Sequence, residues 1–222
     1  MVLAIDTCLG ACSVALVDNG AVVARACEPM TRGHQERLAP MTYEVMARAG
    51  VAFAAIDRIG VTVGPGSFTG LRVGLAFAKG LALALDKPCI GVGSLEALAA
   101  SVGAASVGAA NVATAGPVAA VIDSGRGQAY LQTFDGAAAT CEPQVLPLED
   151  AQAALAALGG GILTGPGVEL LKEAAARFTV APLAAPDPAA VARLAAAAPI
   201  APPTPLYLRA PDAKISAKSK AA

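Results

Sequence analysis

Val61-Thr62-Val63-Gly64-Pro65-Gly66-Ser67-Phe68-Thr69-Gly70-Leu71-Arg72-Val73-Gly74 passes from a strand to a helix within a few residues. The β-branched run Val61–Val63 suits a buried strand, and Gly64-Pro65-Gly66 breaks it. Ser67 is a good N-cap, and the chain then stays apolar to Leu85, long enough for a helix. Gly64 and Gly66 permit a tight turn that a Cβ would obstruct, and Pro65 fixes φ between them. Such a turn brings backbone N–H groups close to an anion or to another stretch of chain. No Gly-Lys-Ser/Thr follows at Walker A spacing. The residues alone admit a purely structural turn and a phosphate cradle equally.

The pattern around this stretch is regular. Upstream, residues 2–7, 12–18 and 21–26 are short runs rich in Val, Ala and Leu, with the hairpin signal Asn19-Gly20 between the second and third. Leu38, Met41, Val45 and Ala49 share one helical face in residues 35–49, which Gly50 ends. Strand 59–63, helix 67–85, strand 89–92 and helix 95–102 follow. The second half repeats the order less clearly: strands 118–122, 129–134 and 143–146, helix 148–158, strand 162–164, helix 169–178, strand 180–183 and helix 189–198. Three hairpin-linked strands followed by alternating helices and strands, twice over, predict α/β architecture. The expected fold is a duplicated mixed sheet with flanking helices, actin-like or ribonuclease-H-like, in two lobes. The expected division is an N-terminal lobe 1–102, a flexible linker 103–117, a C-terminal lobe 118–209 and a disordered basic tail 210–222. The pentapeptide 99–103 recurs directly as 104–108 and reads as a helix end entering that linker.

Composition narrows the function. The 222 residues carry a net charge of −1, with a pI near 5.8. No basic field is available for strong independent nucleic-acid binding, so such a role has to run through a partner's surface. Residues 97–122 carry no charge, but Gly103, Gly108, Gly116 and Pro117 interrupt them, and no membrane span is expected. No secretory signal is evident at the N-terminus. Cys8, Cys12, Cys27, Cys89 and Cys141 form no Cys-x-x-Cys pair, which suits reduced thiols in a cytoplasmic protein.

The ordered set Ala4-Ile5-Asp6-Thr7, Ala11-Cys12-Ser13-Val14-Ala15-Leu16, Gly33-His34, the Gly64-to-Gly74 motif, Val121-Ile122-Asp123-Ser124 and Pro205-Leu206-Tyr207-Leu208-Arg209 resembles the TsaB (YeaZ) family. The resemblance covers most of the chain, and the Gly64-to-Gly74 motif contributes most of its specificity. It implies a non-catalytic scaffold subunit in bacterial synthesis of threonylcarbamoyladenosine beside the tRNA anticodon. It further implies direct binding of TsaD, cooperation with the ATPase TsaE, homodimerisation when alone, and tRNA contact only through the complex. No cofactor is expected for the chain itself, with ATP or ADP at the junction of the complex. The alternative is an independent actin-like ATP-dependent enzyme.

Two groups of residues carry these expectations. In TsaB relatives the helix after His34 and the helix after Ser67 form the TsaD contact. That assigns partner binding to His34, Leu38, Met41 and Val45 on one helix and to Phe68, Leu71, Arg72 and Leu75 on the other. Gly70 and Gly74, four apart, would let a partner helix approach closely, and charging Leu75 or Met41 is expected to weaken the contact. The second group, Asp6, Thr7 and Gly10 with Asp123 and Gly125, occupies equivalent turns of the two halves. In actin-like ATPases such turns face nucleotide phosphates, although Thr7-Cys8-Leu9-Gly10 departs from the usual acid-x-Gly arrangement. Asp6 reads either as a holder of a hydrated metal or as an Asx residue accepting turn N–H bonds, and the Asp123 turn either as an anion site or as a hairpin turn. The glycine runs at 159–161 and 165–167 resemble an adenosine-binding loop. His34 is the only histidine, and Leu38 stands where a His-x-x-x-His metal pair needs its second member. No catalytic or metal-binding residue is assigned.

Overall fold

A computed structural model describes residues 1–105 and 116–209, with the side chains of 103–105 excepted. Most of the expected linker and the whole expected tail lie outside the described residues.

The first half builds a five-stranded sheet. Strands β1 (Val2–Asp6), β2 (Ala11–Asp18) and β3 (Ala21–Pro29) run antiparallel, and β4 (Arg58–Thr62) and β5 (Cys89–Val92) join parallel to β1 in the order β3-β2-β1-β4-β5. Asn19 and Gly20 both adopt positive φ between β2 and β3, the backbone that a two-residue hairpin turn demands. Helix α1 (His34–Ala49) links β3 to β4, and α2 (Phe68–Leu85) links β4 to β5. Ser67 caps α2 through Oγ, which accepts from Gly70 N at 3.2 Å.

The second half repeats the plan. Strands β6 (Val118–Gly125) and β7 (Gln128–Asp135) are antiparallel. The short β8 (Ala138–Ala139) and β9 (Gln144–Pro147) both pair with β7. Strands β10 (Gly161–Thr164) and β11 (Phe178–Ala181) add parallel to β6. The molecule therefore has the actin-like, ribonuclease-H-like duplicated mixed sheet that the strand order predicts.

Several boundaries differ from expectation: β3 and β6 each run three residues past their expected ends, β8 was not expected, and the elements around residue 175 are redrawn. The helix expected over 169–178 is a 3-10 turn, Val168–Leu171, followed by the four-residue α5 (Lys172–Ala175). Phe178 is buried and pairs with Gly161, so strand pairing takes Phe178–Ala181 and ends the helix early. Helix α3 (Ser94–Ala105) runs three residues past its expected end.

The packing crosses the halves. On one face of the first sheet, Leu3, Ile5, Val14, Leu16 and Ile59 meet α1 and α2. The other face carries Val2, Ala4, Ala15 and Val92, and it is covered by α6 (Pro188–Ala197), a helix of the second half. Leu95 and Leu98 of α3, a helix of the first half, pack on Ala120, Ile122 and Phe134 of the second sheet. Helix α4 (Leu148–Leu158) covers that sheet's opposite face. A cut at 103–117 separates the sheets in sequence but not the helices in space. The small side chains of α6 make this possible: a Cβ on Gly60 would sit 2.6 Å from the Ala195 Cβ, so helix and strand lie in direct contact. Arg58 closes the far end of α6 by donating to the Ala195, Ala196 and Ala198 carbonyls at 3.0–3.4 Å.

Candidate functional site: two turns and a helix face

The end of β1 places Asp6 in the interior, fully buried. Its Oδ1 accepts from Thr62 Oγ1 at 2.6 Å and from the Cys8 N–H at 3.1 Å, the Asx geometry of a tight turn. Its Oδ2 is buried without a hydrogen-bond partner among the described residues. Burial disfavours the charged form and outweighs the two hydrogen bonds, pushing the Asp6 carboxyl from 3.8 up to about 6. The same burial, with the Asp6 charge adding to it, pushes the Cys8 thiol up to about 12, which leaves it protonated and inert.

The turn after Asp6 is occupied by the chain itself. Ser67 N donates to Cys8 O at 2.7 Å, Thr7 Oγ1 donates to Gly70 O at 2.7 Å, and Gly10 N donates to Ala184 O at 3.2 Å. Built Cβ atoms on Gly66 and Gly70 would penetrate the Cys8 and Thr7 carbonyl oxygens, and one on Gly74 would meet Thr7 Oγ1. The glycines of the decisive motif thus bring α2 against the first turn. Gly70 and Gly74 serve this internal approach, which corrects their expected use against a partner helix. Asp6, Thr7 and Gly10 sit together, as the sequence predicts, but the groups that would face a phosphate are filled or satisfied from within.

The equivalent turn of the second half is open. The Asp123 side chain is exposed, and its Oδ1 accepts from the Gly125 N–H at 2.7 Å. Gly125, Arg126 and Gly127 all take positive φ, and a Cβ on either glycine meets nothing. Asp123 and Gly125 therefore form a hairpin turn. Gly161 of the first glycine run and Gly165 of the second press against the carbonyls of Pro117 and Val121 in and beside β6, a packing role. Among the described residues, no three His, Cys, Asp or Glu side chains come together as a metal site.

The helix pair divides the expected partner residues. Leu38, Met41, Val45, Leu71 and Leu75 all lie in the core beneath α1 and α2, and His34 is buried with Nε2 unpartnered among the described residues. These six are corrected: they are buried where the two helices meet the sheet, and of them Leu38 alone is among the residues lining the groove between the helices. The reason is geometric, since Leu71, Leu75, Ala78 and Ala82 form one 3.6-period stripe and the sheet takes it. Phe68 and Arg72 do face outward.

The outward face contains residues that sequence reasoning did not assign. Tyr43 of α1 is 67% exposed and stacks edge-on against Phe53 at 5.3 Å. Leu83 of α2 is 85% exposed. Between the helices lies a groove of about 510 Å³ lined by Gln35, Leu38, Phe68, Arg72, Val73 and Phe77, among others. Beside it, Leu206 N donates to Val63 O at 2.7 Å, and Tyr207 lies against Phe68, a lining residue, with ring centroids 5.6 Å apart. The signal for this face was present: Phe68, Val73 and Phe77 are the apolar positions of α2 left over once its core stripe is removed.

Comparison with known proteins agrees with this arrangement. A family model described as TsaD, tRNA N6-adenosine threonylcarbamoyltransferase, matches residues 26–197. The TsaB protein of Escherichia coli K12, named for tRNA threonylcarbamoyladenosine biosynthesis, is 43% identical over 98 residues, 44% of this chain and 42% of that protein. The match thus spans less than half of that relative's length. An uncharacterized protein of Mycobacterium tuberculosis H37Rv is 34% identical over 222 residues, covering 96% of this chain and 93% of that one. The crystal structure of a Pseudomonas aeruginosa protein with similarity to peptidase YEAZ superposes with a TM-score of 0.77 at 29% identity, over 94% of this chain and 99% of that one. With the match running through both sheets and the fold shared nearly end to end, the chain belongs to the TsaB (YeaZ) family, among the TsaD-like proteins.

Proposed function

We propose that this chain is a subunit of the machinery that makes threonylcarbamoyladenosine in tRNA, and that it acts by binding a TsaD-type transferase. The observation that carries this reading is the apolar outer face of α1 and α2. Two helices already seated on the sheet leave Phe68, Val73 and Phe77 at least partly open to solvent in a groove, and Tyr43 of α1 and Leu83 of α2 are exposed as well. Exposed apolar surface of this kind suits an interaction site. Helix α2 also meets the length and composition of a membrane-crossing helix. Its buried stripe against the sheet suits a core helix with a second, partner-covered side better.

In this reading the chain contributes surface, not chemistry. The motif at Gly64–Gly74 packs over the first phosphate-type turn, which favours this reading over an independent ATP-dependent enzyme using Asp6. Cooperation with a TsaE-type ATPase, self-association through the same face when the transferase is absent, and a cytoplasmic location belong to the same proposal. Reconstitution tests it. The purified chain is expected to co-elute with the TsaD-type protein of its own organism and to be required for modification of transcript tRNA. Full modification without the chain, or no complex at micromolar concentrations, overturns it.

A further inference from the structure

Arg72 is held by aromatic rings and yet open, unlike Arg37. Arg37 is consumed by Glu28 and Glu44, with nitrogen–oxygen distances of 2.5–2.8 Å. Arg72 lies over the Phe68 ring, its guanidinium carbon 3.6 Å from the centroid. Its Nε donates to Tyr207 Oη at 3.3 Å, and its two terminal nitrogens have no partner among the described residues. Tyr207 is itself fixed, because its neighbour Leu206 is hydrogen-bonded to Val63 and Arg209 donates to Ser124 O at 2.7 Å. A guanidinium stacked on one aromatic ring and held by another keeps its fork aimed in one direction. This pre-organisation lowers the entropy lost when the fork binds an anion.

The surroundings say what that anion is attached to. Arg72 lines the apolar groove between α1 and α2, and no other charged side chain lines it. Helix α2 contains Arg72 and Lys79 and no Asp or Glu from Phe68 to Leu85. Its outer face is therefore apolar with cations only. The complement of such a face is an apolar surface that brings a carboxylate, which direct packing of α2 on the α2 of a second copy does not supply. Resting on the partner reading, we propose that Arg72 is a carboxylate clamp. It takes an Asp or Glu side chain from an apolar helix of the TsaD-type partner laid along the groove, with Phe68 and Tyr207 as positioning residues. A carboxylate matches the guanidinium fork in bidentate geometry, and the low dielectric of a covered groove strengthens the pair.

The test is titration of the full chain with the purified TsaD-type protein at two salt concentrations. It compares wild type with Arg72→Met, Arg72→Glu, Arg72→Lys and Tyr207→Phe, with thermal unfolding of each. Truncating one member of a covered charge pair weakens binding by about 30-fold or more, so Arg72→Met is expected to do this and Arg72→Glu to exceed it. Arg72→Lys is expected to recover part of the loss, Tyr207→Phe to cost about 3–10-fold through lost positioning, and Arg72→Met to flatten the salt dependence. All four variants are expected to unfold near the wild-type temperature, because the side chains are exposed. Unchanged affinity and salt dependence in folded Arg72→Met and Arg72→Glu overturn the clamp while leaving the partner reading intact. Loss of self-association with retained partner affinity assigns the groove to a second copy and also overturns it. If the wild type does not bind the partner at all, both readings fall.

Discussion

The two halves of this molecule share one topology and treat the same turn in opposite ways. After β1, the turn at Thr7–Gly10 is closed over by Ser67, Gly70 and Ala184, and its aspartate is fully buried. At the end of β6, the turn at Asp123–Gly127 keeps its aspartate exposed, with Arg209 donating to Ser124 O and Leu148 N to Gly127 O at its margins. The difference lies in the segments that leave β4 and β10. The first half inserts a glycine-spaced helix entry that reaches back over the turn. In the second half, the 3-10 turn at Val168–Leu171 and the short α5 stay against their own sheet. A duplicated fold keeps its strand order, whereas the role of each turn depends on the loop packed against it.

The largest consequence of that difference is steric. Gly70→Val is expected to abolish folding, since its Cβ would overlap the Thr7 carbonyl oxygen, where neither backbone can yield. Gly125→Ala meets open space and has only its positive φ to bear, a cost of about 1 kcal/mol. Thermal unfolding of the pair checks this; a folded Gly70→Val would show that the first turn is not clamped.

Next comes the buried aspartate. Between about 3.8 and about 6, folded Asp6 holds a proton that the unfolded chain has released. Its contribution is therefore fully present below about 3.8 and lost as pH rises to about 6. That displacement corresponds to about 3 kcal/mol. Asp6→Asn keeps the Oδ1 bonds and removes the titration. The difference between wild-type and Asp6→Asn unfolding free energies is expected to change by about that amount from pH 3.5 to pH 7, with the variant gaining relative stability at the higher pH. A difference independent of pH would place Asp6 in contact with solvent or a cation.

The smallest effect belongs to the open turn. Asp123→Ala removes one exposed Asx hydrogen bond and is expected to cost about 1 kcal/mol in denaturant unfolding, with no loss of partner binding. Thr7→Val breaks the buried bond to Gly70 O and is expected to cost more, about 1–3 kcal/mol. If the two variants prove equal, the contrast between sealed and open turns has no energetic content.

The sequence alone determined the parts that local physics dictates. Asn19-Gly20 required a hairpin because both residues tolerate positive φ, Ser67 marked the start of α2 by capping it, and alternating strands and helices set the duplicated order. Residues 148–158 were legible as a helix from end to end because apolar spacing and Gly159 agree. Tertiary structure decided which surface met which. Helix α2 is apolar on more than one face, and periodicity shows that a stripe exists without naming its neighbour; the sheet took Leu71 and Leu75, left Phe68 exposed and kept Phe77 half-buried at the edge. The spacing of Gly70 and Gly74 signalled a close approach, but only the fold shows that the approaching group is the chain's own Thr7. Likewise α3 and α6 exchanged sheets, because alanine-rich helices fit either surface by composition and only the assembled layers distinguish them.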